Sequence, residues 1–88
     1  MYIDKSIILK NLCYTELVYD RIRKKLQIQL SKESIEEFIF ILINETEQKY
    51  FSKIGKNYYI LNMEHKIKIT VNSSTYRIIT VDILTNNP

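Results

Sequence analysis

Nine residues of this chain have side chains and spacings that could do chemistry: Thr15, Glu16, Arg21, Lys56, Asn57, Tyr59, Asn72, Tyr76 and Thr80. Glu16 or a tyrosine could move a proton, Lys56 and Arg21 could stabilise phosphate charge, and Thr80 or Asn72 could hold a substrate. From these a metal-free acid–base site can be assembled. Each also has a plainer role. Gly55-Lys56-Asn57 is a good hairpin turn, since Gly and Asn both tolerate left-handed geometry. Thr70, Tyr76 and Thr80 have high strand propensity and need no function to explain them. Thr15-Glu16 is a helix start, where a hydroxyl can cap and a carboxylate suits the dipole. A binding or regulatory role is therefore preferred to catalysis.

Other chemistries lack their residues. His65 is the only histidine, placed in a turn and expected to be solvated, and Cys13 is the only cysteine. Without a second His or Cys, no metal-ligand cluster and no cofactor are expected. Cys13 and His65 lie in unrelated contexts, so no nucleophile–histidine pair is suggested. One glycine cannot build a phosphate loop. No disulfide can form within the chain, and Cys13 reads as a small buried hydrophobe. A lone thiol without an export signal points to the cytosol. No apolar run approaches the roughly 20 residues that span a bilayer.

The net charge is +3, with ten lysines against three arginines. Arg21, Arg23, Lys24 and Lys25 crowd one helix. Lys53, Lys56, Lys66 and Lys68 fall near Tyr58 and Tyr59. Basic residues interleaved with aromatics can track a phosphate backbone and stack bases, so a nucleic-acid partner is open, RNA before DNA. A solvated face, with lysines guarding strand edges, accounts for the same pattern. A protein partner is equally open, since tyrosines are enriched at interfaces.

The elements that must position these residues follow from caps and from a change of period. Residues 4–12 read as a short helix capped by Asp4, with Ile8 and Leu12 on one face. A break near Cys13–Tyr14 separates it from a second helix, capped at Thr15, with Leu17, Val18, Ile22 and Leu26 at helical spacing. One continuous helix over this stretch also fits the spacing. Ser31 caps a third, staged by Leu30 and Ile35 as a hydrophobic staple. Its stripe is Ile35, Phe38, Ile39 and Leu42. Phe40, Ile41 and Ile43 make its second half apolar nearly all round, which suits burial on two sides or a homodimer through the 31–46 helix. The helix should fray by Thr46–Gln48.

After Lys49 the period becomes two. Strands are expected at Tyr50–Ile54, Asn57–Leu61, Lys66–Val71 and Tyr76–Val81. Ile67, Ile69 and Val71 should share one face, with Lys66, Lys68 and Thr70 on the other. Short connections favour an antiparallel meander. The 88 residues therefore form a single α+β domain, with two or three N-terminal helices packed on one face of a four-stranded antiparallel β-meander.

Three segments carry a resemblance: T-E-L-x-x-x-R-I-x-K-x-L at Thr15–Leu26, G-K-N-Y-Y at Gly55–Tyr59, and I-T-V-N-S-S-T-Y-R-I-I-T at Ile69–Thr80. In order and spacing they resemble a small bacterial family, domain-of-unknown-function family 3781, over most of the chain. This sequence departs from the family pattern where Val18 replaces a glycine, Tyr58 a tryptophan and Arg77 a threonine. Val81-Asp82 replaces a terminal Ala-His, which removes the histidine best suited to acid–base work. The resemblance implies the extent of the domain and no activity. The layout is also similar to that of the small barnase- and RelE-like RNases, so a metal-independent RNase of toxin type is the alternative function. That likeness concerns layout alone.

Overall fold

A computed structural model describes residues 2–85. Three helices precede a four-stranded antiparallel sheet: α1 (Lys5–Asn11), α2 (Glu16–Leu26), α3 (Lys32–Glu45), β1 (Phe51–Ile54), β2 (Asn57–Asn62), β3 (Ile67–Asn72) and β4 (Ile78–Ile83). The strands lie in chain order β1-β2-β3-β4, and every neighbouring pair is antiparallel. The fold is the expected α+β meander. No helix among the described residues is long and apolar enough to cross a membrane.

The caps set the helix starts. The Asp4 carboxylate accepts from the Ser6 and Ile7 backbone N–H groups, and its hydrogen bond from the Ser6 hydroxyl lowers its pKa. Ser31 Oγ accepts from the Ser34 N–H at 3.1 Å. Thr15 holds the N-cap position of α2 in extended geometry, yet its side chain makes no cap bond. At the other end of α2, Gln27 turns left-handed and the chain folds back toward α3.

The core lies between the helices and one sheet face. Ile8 of α1, Val18, Tyr19 and Ile22 of α2, and Ile35, Ile39, Leu42 and Ile43 of α3 meet Phe51, Ile60, Ile69, Val71, Ile78 and Val81. Each branched aliphatic side chain buried here contributes about 1.5–3 kcal/mol. Outward on α3, Phe40 and Ile41 stay 45% and 47% exposed, so one chain alone leaves that stripe in solvent. Phe38 is only partly buried.

Several boundaries depart from the sequence reading. Tyr50 closes a 3-10 turn over Gln48–Tyr50, donating its N–H to the Glu47 carbonyl, so β1 starts one residue later than expected. Lys66 and Tyr76 both take positive φ, 56° and 59°, and end turns where strand was expected. Cys13 is exposed, against the expectation of burial. Its backbone explains this: Cys13 N–H donates to the Tyr76 carbonyl and its own carbonyl accepts from the Ile78 N–H, a one-residue parallel bridge beside β4. Successive residues of extended backbone point to opposite faces, so Leu12 and Tyr14 turn inward and Cys13 outward. Gly55 takes φ +60° in the β1–β2 turn, as its type requires.

Candidate functional site

The sheet has a second face, away from the core. Cross-strand partners point to the same side of a sheet, so register assigns this face. Tyr59 pairs with Thr70, and Thr70 with Thr80, giving a row across β2, β3 and β4. Asn57 pairs with Asn72 at one end of that face, and Leu61 with Lys68, itself paired with Asp82, toward the other. The Lys68 ammonium stands 5.9 Å from the centre of the Tyr59 ring. Thr70 is only 4% exposed despite its outward position.

Helix α2 packs beside β4. Its residues Asp20, Arg21, Lys24 and Lys25, with Thr80, line an open groove of about 800 Å³. Lys25 is held by Asp82 at 2.8 Å. Arg21 and Lys24 make no ion pair among the described residues and are exposed. The Thr80 hydroxyl is buried without a hydrogen-bond partner. A smaller groove of about 260 Å³ adjoins, lined by Thr15, Leu17, Val18, Arg21, Arg77, Ile78 and Ile79. Arg21 thus borders both.

The nine residues singled out from the sequence divide accordingly. Tyr59 and Thr80 share the outer face with Asn57 and Asn72, and Arg21 rims it. Lys56 sits at the sheet end, where its carbonyl accepts from the Ser73 N–H and hydroxyl, tying the two neighbouring turns together. Asn72 is occupied by structure: its carboxamide oxygen accepts from the Ser74 and Thr75 N–H groups, both at 2.8 Å. Asn57 Nδ2 lies 3.4 Å from the Tyr59 hydroxyl. Tyr76 leaves the group, its ring tilted against Tyr58 at 6.5 Å and packed on the core. Glu16 turns toward α3 and holds Lys32 at 2.6 Å. Thr15 shares a groove with Arg21 but reaches neither Thr80 nor Lys56 by any hydrogen bond among the described residues.

A second constellation lies around the β2–β3 turn, at the far end of the sheet. Glu45 closes α3, and Glu64 and His65 stand in the turn. Ligand atoms of all three lie within 4.8 Å of one another. His65 Nδ1 is 3.1 Å from a Glu45 carboxylate oxygen. Behind them Asn62, 3% exposed, donates its amide to the Leu42 carbonyl and Thr46 hydroxyl and accepts from the His65 N–H. Spacing could not reveal this group, because Glu45 and His65 are brought together only by the packing of α3 on β2. Glu64-His65 in a polar turn was its one local signal.

Two tyrosines meet at the start of α2, Tyr19 buried and Tyr14 partly buried. Tyr14 stacks on Tyr19 with ring centres 5.5 Å apart. The Tyr19 hydroxyl donates to Glu36 at 2.6 Å. Burial, then that hydrogen bond to a carboxylate, push the Tyr19 phenol up to about 12. Burial first and the Glu36 charge second also raise the Tyr14 phenol.

The geometry has a family context. The family model described as "Protein of unknown function (DUF3781)" matches residues 6–82, and the chain belongs to that family. No curated protein and no solved structure matches it.

Proposed function

We propose that the chain is a small cytosolic binding module whose partner is single-stranded RNA, laid across the outer face of β2–β4. The observation that carries this reading is an outward aromatic ring, Tyr59, on the same face as a basic rim. Tyr59, under the Lys68 ammonium, offers a stacking surface, and Arg21 and Lys24 stand along the adjoining groove without partners of their own sign-opposite charge among the described residues. Phosphates tracked by unpaired cations and a base stacked on tyrosine are the two ingredients of sequence-tolerant single-strand binding. The ribonuclease alternative finds less support. Glu16, its proton carrier unless a tyrosine takes that part, is engaged by Lys32, and no hydrogen bond or ion pair among the described residues links it to Lys56.

Fluorescence anisotropy with a labelled RNA of about 10 nucleotides tests the proposal. Binding should weaken steeply with salt, and the joint Arg21→Ala, Lys24→Ala variant should flatten the log–log slope by roughly 1.4, two contacts at ~0.7 each. Tyr59→Leu should weaken binding by about 1–3 kcal/mol while Tyr59→Phe retains it. Affinity that is absent at low salt, or insensitive to salt, rejects RNA and leaves a protein partner. Cleavage of the RNA that vanishes in Glu16→Ala or Lys56→Ala moves the reading to the ribonuclease.

A further inference from the structure

We propose that Glu45, Glu64 and His65 form a binding site for a divalent first-row transition-metal ion. The site stands at the opposite end of the sheet from the paired Asn57 and Asn72 and is independent of the nucleic-acid reading.

The donor set is one imidazole and two carboxylates, all within 4.8 Å of one another. Metal–ligand bonds of ~2.0–2.2 Å place neighbouring ligand atoms roughly 3 Å apart. The His65 Nδ1 to Glu45 Oε1 separation is 3.1 Å, so that edge of a coordination sphere already exists. Nδ1 lies within hydrogen-bond reach of that carboxylate, in a donor or acceptor role set by the tautomer. A shift to the Nε2–H tautomer frees Nδ1 for a cation with no net proton change. Glu64 needs only a side-chain rotation, because it is exposed.

Three further observations support a cation here. Glu45 is the last residue of α3, and the final turn of that helix contains no basic residue. A carboxylate there faces the negative end of the helix dipole, an unfavourable arrangement that a bound cation reverses. Glu47 and Glu64 join Glu45 along one small groove, which concentrates negative charge in a chain of net charge +3. Lastly, the supporting shell is built. The Asn62 carboxamide is fixed by the Leu42 carbonyl and the Thr46 hydroxyl, and it meets His65 Nδ1 at 3.2 Å and Glu45 Oε1 at 3.5 Å. The Asn62 oxygen also accepts from the His65 backbone N–H at 2.9 Å, which fixes the turn that carries the imidazole. The imidazole selects against Mg²⁺ and Ca²⁺, which take oxygen ligands, and in favour of Zn²⁺, Co²⁺ or Ni²⁺.

Titration calorimetry of the full chain, without a polyhistidine tag, tests this with Zn²⁺ and Mg²⁺ as probes. One equivalent of Zn²⁺ should bind, and Co²⁺ should give a visible d–d spectrum. His65→Ala should weaken Zn²⁺ by at least about tenfold, and Glu64→Gln should weaken it as well. Both side chains are exposed, and thermal melts without metal should confirm that the variants fold like the parent. The proposal is overturned by the absence of saturable Zn²⁺ uptake. It is equally overturned if uptake is unchanged in both variants or if Mg²⁺ is bound as tightly.

Discussion

The Tyr14 hydroxyl is an unpaired polar atom in an apolar setting, where an orphaned group carries its full desolvation cost. Tyr14→Phe deletes that oxygen and keeps the ring stacked on Tyr19. It should therefore raise stability by about 1 kcal/mol, a rise in Tm of roughly 4–8 °C for a chain this small. A thermal melt checks it, and an unchanged or lower Tm would show that the hydroxyl is satisfied. The sequence did not reveal this position. The sequence points to Cys13 as the buried residue, but the single bridge to β4 turns Cys13 outward and Tyr14 inward. Thr80 was singled out from its neighbours in a strand, and its hydroxyl is likewise unpaired, this time beside the basic groove. The difference is that strand alternation is a local signal, whereas a one-residue bridge depends on a partner far along the chain.

The joint between α3 and the sheet rests on one carboxamide. Asn62 spends its donors on the Leu42 carbonyl and Thr46 hydroxyl, and its oxygen on the His65 N–H, so a buried polar group is satisfied on every side. Asn62→Leu fills similar space but strands the His65 N–H and loses three bonds. Stability should fall by about 2–3 kcal/mol, measured by urea unfolding. A loss under 0.5 kcal/mol, roughly the scale of an ordinary surface change, would place the joint elsewhere. The elements themselves were legible. Asp4 and Ser31 announced two helices through side chains that do cap them, and Ile67, Ile69 and Val71 announced a strand by alternating into the core. What escaped was where strands begin. Lys66 and Tyr76 adopt left-handed geometry that their types disfavour, imposed by the turns that join β2 to β3 and β3 to β4. Asn62 lies just past the expected end of β2 at Leu61, and its polarity gives no hint that a helix end covers it.

Charge and pH act on the chain as a unit. The net charge of +3 falls to zero near pH 9.0, and above that pH the tyrosines begin to matter. The folded chain holds the Tyr19 proton more tightly than an unfolded chain does, because the phenol is 8% exposed, donates to Glu36, and faces the charges of Glu16 and Glu33 as well. A group whose pKa is raised on folding stabilises the fold fully below its unfolded value of 10.0 and loses that contribution as pH climbs toward about 12. Tyr14 shifts in the same direction and adds to the effect. Stability should thus decline through pH 10–12, in step with phenolate absorbance. Tyr19→Phe removes both the titrating proton and the Glu36 hydrogen bond. It should be less stable than the parent at pH 7, by about 1–2 kcal/mol for a bond to a charged acceptor, and should decline less between pH 10 and 12. Melts of parent and variant across that range check both halves. If the two curves stay parallel, the alkaline loss belongs to the lysines and Tyr14, and the contact between α2 and α3 does not depend on the Tyr19 proton.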